Sequence, residues 1–250
     1  MGKFFVKTNQ IEKDKIRILN EDVNHIKNVL RLNVLDNIEV CNKDTGENYN
    51  CEISSVLNNC IECKILNKID INTEGNVKID VYQGIPKFDK MELIIQKGTE
   101  LGATNFIPVK FNRCIVKLDE KDEDKKINRW QKIAEVASKQ SGRDIVPNIQ
   151  KIVGVKDICD IINKYDIVLL AYELERTNYI KDELIKIKAL NKNYNIAIII
   201  GPEGGIEEKE VDLLKNSGSK VVTLGKRILR TETVCMQMIS IIMYELENNN

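Results

Sequence analysis

The stretch IIIGPEGGIEEKE, Ile198–Glu210, decides the fold. A run of β-branched residues without alternation is the mark of a parallel strand buried on both faces. Gly-Pro-Glu-Gly-Gly then turns the chain, and the acids that follow suit the first turn of a helix. In open α/β sheets a ligand sits at such a carboxyl strand end. Pro202 and Glu203 are poor phosphate ligands, and the chain contains neither G-x-G nor G-x-x-x-x-G-K-[ST]. What remains is a turn with bare backbone, suited to a neutral heteroaromatic such as adenine. Glycine permits that approach because no Cβ intervenes. A branched side chain at Gly201 or Gly225 is therefore expected to block the ligand without unfolding the chain.

A second turn of the same kind follows. VTLGKRILRTET, Val222–Thr233, again places glycine just past a strand. From Lys215 to Arg230 there are five basic residues (Lys215, Lys220, Lys226, Arg227, Arg230) and no acid. Such a local patch, Lys226 within it, can meet nucleic-acid phosphates although the whole chain balances 38 basic against 38 acidic residues.

Working outward, strands alternate with helices from about residue 73 to the end, which predicts a parallel α/β sheet covered on both faces. DKMELIIQKGTELG sets Met91, Ile94, Ile95 and Leu101 near one side of a helix. In KKINRWQKIAEVASKQSG the lone Trp130 shares core spacing with Ile127, Ile133 and Ala134 and reads as packing. Residues 1–72 differ: KIRIL, NIEVC, NYNCEISSVL and CIECKIL are short strands that predict a small β-barrel. Among them NEDVNHIKNVLRL is helical, with Asn20 as cap and Val23, Ile26, Val29 and Leu30 as its apolar face. DINTEGN, residues 70–76, is the linker candidate, and the terminal Asn248–Asn250 is expected to fray.

Composition excludes several classes. The chain has 250 residues, 42% of them hydrophobic, without an apolar run of membrane-span length or a secretory h-region, so a cytoplasmic protein is expected. Seven scattered cysteines form no disulfide framework. In CIEC, Cys60 and Cys63 fall on opposite faces of a strand, so no metal site is expected.

The two turns together, GPEGG and LGKRILRTET, closely resemble the core of the SPOUT methyltransferases, and within them the RsmE family of 16S ribosomal RNA uracil-N3 methyltransferases. KFDKMELIIQKGTELGATNFIPV, RWQKIAEVASKQSGR followed by VP, and HIKNVLRL extend the resemblance over nearly the whole chain. It implies S-adenosylmethionine held by loops of a deep trefoil knot, a PUA-like barrel that grips RNA, and a homodimer without membrane or metal. Carried over, Ile200, Gly201, Pro202 and Glu203 form one wall of the cofactor pocket. Leu224, Gly225, Arg227, Ile228, Leu229 and Thr231 form another, and Leu170 and Ala171 complete the cleft. The domains become 1–72 and 73–250, the first gripping RNA around Lys27 and Arg31. The chain departs from the family pattern at Lys139 and Asn112, where glutamates are usual. Both weigh against a mechanism that makes those carboxylates the base.

Methylating uracil N3 requires stabilising negative charge on the pyrimidine, a task for a planar guanidinium. Arg230 is the first candidate and Arg143 the second, with phosphate contact as the alternative for each. Glu232 can orient an arginine, act as base, or serve the positive end of the last helix. His25 reads as a packing or RNA-contact residue. Met236, Met238, Ile239, Ile242 and Met243 on that helix suggest surplus apolar surface for a second copy. Two rivals stand: the same fold acting elsewhere on RNA, for example at a ribose 2′-O, and an RNA-binding assembly factor without chemistry.

Overall fold

The computed structural model describes residues 3–70, 73–116, 120–188 and 193–247. The asparagines Asn248–Asn250 and part of the proposed linker lie outside the described residues. The chain divides into two compact units, Met1–Glu74 with Ser138–Val146, and Gly75–Ala137 with Pro147–Asn250.

The first unit holds β1 (Lys3–Val6), β2 (Ile11–Glu12), β3 (Lys15–Leu19), α1 (Glu21–Asn24), β4 (Asn37–Asn42), β5 (Asn48–Val56) and β6 (Cys60–Ile69). They form a half-barrel sheet in the order β1-β4-β5-β6-β3-β2, antiparallel except where β1 runs with β4. Alternation explains it: Ile16 and Ile18 of β3 are buried while Lys15, Arg17 and Leu19 face out. Cys63 is fully buried on β6 while Cys60 is half-buried, as opposite faces require. Burial pushes the Cys63 thiol up to about 12.

The helix expected over residues 20–32 is only partly α-helical. Asn20 has φ +62° and makes no side-chain capping bond. After α1 the chain takes a π-type turn, His25–Val29, closed by the Leu30 N–H donating to the His25 carbonyl at 2.9 Å. The wider turn rotates later residues off the core. Val23 and Ile26 are buried, but Val29 is 62% exposed and Leu30 39%.

The segment Ser138–Val146 is tied into this unit by charge. Arg143, 6% exposed, donates through Nε and Nη2 to Glu74 at 3.1 and 2.6 Å. Asp144 pairs with Lys3 and accepts from the Thr73 amide at 2.6 Å.

The second unit contains β7 (Val77–Gly84), α2 (Lys90–Glu100), β8 (Asn105–Lys110), α3 (Glu120–Ser141, counted here through Ala137), β9 (Asn148–Ile149), β10 (Val153–Gly154), α4 (Val155–Ile161), β11 (Ile167–Ala171), α5 (Ile180–Lys188), β12 (Tyr194–Ile200), α6 (Glu208–Asn216), β13 (Lys220–Val222) and α7 (Thr231–Leu246). The sheet is parallel, in the order β10-β8-β7-β12-β11-β13, with β9 beside β8. Ile196–Ile200 are all buried at the centre, as their composition predicts. Ile158 of α4 and Val211 and Leu214 of α6 pack in one core with Ala197, Ile199 and Leu170. α7 packs against α2, α5, β7 and β12. That packing consumes Met238, Ile239 and Ile242, all fully buried, so these side chains offer no surplus surface for a second copy. Trp130 is 3% exposed and acts as packing. Among the described residues no helix is long and apolar enough to cross a membrane.

Candidate active site

Strand β11 lies between β12 and β13, so their carboxyl ends open side by side. A cavity of about 550 Å³ sits there, within the second unit. Its walls are the Gly201–Gly205 turn after β12, the Leu224–Thr231 segment before α7, and Ala171–Glu173 after β11.

Close backbone approach shapes the first wall. The Gly205 N–H donates to the Pro202 carbonyl at 2.9 Å, and Gly205 has φ +71°, a conformation that suits glycine. A Cβ on Gly201 would come within 2.8 Å of Ile206 Cγ1. This corrects the expectation from sequence: a side chain at Gly201 collides with the turn's own isoleucine and strains the fold before it meets a ligand. A Cβ on Gly84, at the end of β7, would stand 2.6 Å from Pro202 N, so the turn can cross β7 only where that strand ends in glycine. Gly225 has open space around its missing Cβ but φ +121°, so a side chain there is strained by the backbone; as glycine it leaves bare backbone at the cavity wall.

Thr231 joins the two walls. Its Oγ1 donates to the Gly201 carbonyl at 2.7 Å and accepts from Gln83 Nε2 at 2.8 Å. Glu203 accepts the Lys87 N–H at 3.1 Å and the Lys90 ammonium at 2.8 Å. Burial raises its carboxyl, but the Lys90 bond and the backbone donors outweigh that and hold it below the usual carboxylate range. Lys90 Nζ also stands 3.9 Å from Glu232 Oε2, a buried oxygen with no hydrogen-bond partner. Arg230, at the N-cap position of α7, is exposed and lines the cavity. Among the described residues no carboxylate pairs with it.

Most sequence candidates therefore meet at one place. Ala171, Ile200, Gly201, Pro202, Glu203, Leu224, Gly225, Arg227, Ile228, Leu229, Arg230 and Thr231 all line the cavity. Glu232 is next in the chain but does not line the cavity, and its Oε2 is buried. Leu170 does not line it: it is fully buried in the core behind the strand end. Lys226 is exposed in the same segment. Arg143 belongs to the first unit, where Glu74 takes its guanidinium, and it does not line the cavity. Lys27, also in the first unit, donates to the Leu57 carbonyl at 3.3 Å, and Arg31 is exposed with φ +53°.

Both departures from the family pattern have local explanations. Asn112 Nδ2 donates to Glu207 at 2.9 Å and its N–H to Glu210 at 3.0 Å, so an amide supplies a donor where a glutamate would repel. Lys139 pairs with Asp22 at 2.6 Å, where a glutamate would face like charge.

A family model for an RNA methyltransferase domain matches residues 73–243, and one for an RNA methyltransferase PUA domain matches residues 18–66. Ribosomal RNA small subunit methyltransferase E of Bacillus subtilis is 38% identical over 251 residues, spanning 99% of this chain and 98% of that protein. The chain belongs to the ribosomal RNA small subunit methyltransferase E family. A crystal structure of the Neisseria gonorrhoeae family member bound to S-adenosyl methionine superposes with TM-score 0.87 at 29% identity, covering 100% of both chains. A Legionella pneumophila protein in complex with bound S-adenosylmethionine superposes with TM-score 0.86 at 26% identity, over 98% of each. The sequence reading missed Lys90, Glu173 and Arg176, which line the cavity, and Gln83 and Gly84, which frame its walls. Only Gly84 gave a local signal, a glycine ending a strand.

Proposed function

We propose that the chain is an S-adenosylmethionine-dependent methyltransferase acting on N3 of a uridine in 16S ribosomal RNA of the small subunit. The observation that carries this reading is the cavity between two glycine turns at three parallel strand ends, in a chain of this family. The residues fit the cofactor. Gly225 offers bare backbone for an adenine edge, while Ile200, Leu224 and Leu229 supply apolar walls. S-adenosylmethionine supplies an electrophilic methyl group on sulfonium.

This chain's residues do the rest. Arg230, which has no carboxylate partner among the described residues, holds the uracil oxygens as negative charge develops. Glu232, in the first turn of α7 and 3.9 Å from Lys90 Nζ, holds that cavity-lining ammonium in place. Exposed Lys226 and Arg227 meet phosphate, and Lys27 and Arg31 of the PUA-like unit hold RNA further from the chemistry. The reading includes the trefoil knot around the cofactor and a homodimer.

Calorimetry with S-adenosylmethionine and mapping of methylated 16S nucleotides in a deletion strain, with and without the chain restored, test it. Cofactor binding and return of an N3-methyluridine are expected. A restored ribose methyl would move the target, and failure to bind cofactor would overturn the enzyme reading.

A further inference from the structure

Four of the chain's five phenylalanines behave as their apolar surface dictates. Phe4, Phe106 and Phe111 are buried and Phe5 is half-buried. Phe88 is 87% exposed, and its backbone has φ +56°. A left-handed conformation is unfavourable for a bulky side chain and costs glycine nothing. Neither burial nor local geometry accounts for an aromatic here. Strain retained at an exposed ring points to use outside the fold.

Its place says what the use is. Phe88 lies between Lys87, whose N–H binds Glu203 of the cavity's first wall, and Lys90, which lines the cavity. Lys87 has no carboxylate partner among the described residues, and neither do Arg227 and Arg230 on the opposite wall. Lys87, Asp89 and Lys90 flank the ring in sequence, a charged setting unlike the charge-depleted core of a protein interface. An isolated aromatic among unpaired cations matches single-stranded nucleic acid, whose bases stack on rings while phosphates take the charge.

We propose that Phe88 is a stacking platform for an unpaired RNA base beside the nucleotide being methylated. This rests on the methyltransferase reading and adds a substrate-positioning residue to it. The ring holds a flanking base at the rim of the cavity. The target base is thereby presented with less freedom, and the backbone strain is the structural cost of placing the ring there.

The test exploits the opposite signs of the two effects. Phe88→Gly relaxes the backbone, so its thermal midpoint is expected to equal or exceed wild type, by up to about 4 °C. Its affinity for small ribosomal subunits lacking the methyl mark is expected to fall on the order of ten- to a hundredfold, the range of one lost base–aromatic stack. Phe88→Trp should retain affinity and Phe88→Leu should lose it, with S-adenosylmethionine affinity unchanged in all three. Unchanged subunit affinity in Phe88→Gly and Phe88→Leu overturns the proposal. So does a change in oligomeric mass by sedimentation, which would assign the ring to a contact between copies. If wild-type protein neither binds nor methylates the subunits, the underlying functional reading fails instead.

Discussion

Arg230 and Arg143 carry the same charge, and their surroundings separate them. Arg143 is buried and clasped by Glu74; Arg230 is exposed at the cavity, and among the described residues no acid pairs with it. A guanidinium left unpaired at a site where charge develops contributes more in the transition state than in the ground state. Arg230→Lys keeps the charge and loses the planar fork. Single-turnover methyl transfer at saturating RNA and cofactor should slow on the order of 10²–10³-fold, with both affinities little changed. A rate within a few-fold of wild type, accompanied by weaker RNA binding, would make Arg230 a phosphate contact. Glu175 shows the same dependence on surroundings in a structural role. Its carboxylate accepts the Thr177 and Asn178 amides, the Thr177 hydroxyl and the Arg176 amide, which hold it at about 2 against an ordinary 4.5. The folded value lies below the unfolded one, so the contribution is present above pH 4.5 and disappears as pH falls through about 2. Urea unfolding of wild type against Glu175→Gln should show a stability gap that narrows over that window. A gap independent of pH would contradict the hydrogen-bonded loop.

Elements meet at the site through one hydroxyl. Thr231 begins α7, accepts from Gln83 on β7 and donates to Gly201 after β12. Valine is nearly isosteric but leaves the Gly201 carbonyl and the Gln83 amide without this partner. Thr231→Val should cost about 1–3 kcal/mol in thermal denaturation and weaken cofactor binding, while Thr231→Ser preserves both. Equal behaviour of the two variants would remove the hydroxyl from the frame. Elements of this kind were legible where composition and period agreed. The isoleucines of β12 announce a central strand, and glycines just past β12 and β13 announce the cavity walls. Features set by non-local geometry were not. The π-type turn at His25–Val29 has the apolar spacing of an ordinary helix, so Val29 and Leu30 read as core although the wider turn exposes them. Met238, Ile239 and Ile242 of α7 look like surplus until α2, α5 and two strands are placed around them, while Met236 and Met243 stay half-buried. Lys90 becomes a site residue only because β7 delivers α2 beside the Glu203 turn, more than a hundred residues away in sequence.

For the whole molecule, zero net charge means that RNA affinity must come from local patches. Residues 1–72 hold 10 basic against 11 acidic side chains, a net of −1, so the first unit cannot attract RNA by its overall field. Its grip, in the functional reading above, rests on Lys27 and Arg31 beside the π-type turn. Among the described residues the cavity is lined only by those of the second unit, so in this functional reading cofactor and RNA binding are separable by mutation. Each phosphate contact releases counterions, and affinity falls with salt in proportion to the number of contacts. Replacing Lys27 and Arg31 with alanine should weaken binding to small ribosomal subunits and reduce the slope of log affinity against log salt by roughly 1.5, about 0.7–0.9 per contact. Cofactor affinity by calorimetry should stay at the wild-type value, since neither residue lines the cavity. A weaker affinity with an unchanged slope would mean that the two side chains touch bases or support the fold, and the phosphate grip would then have to lie elsewhere.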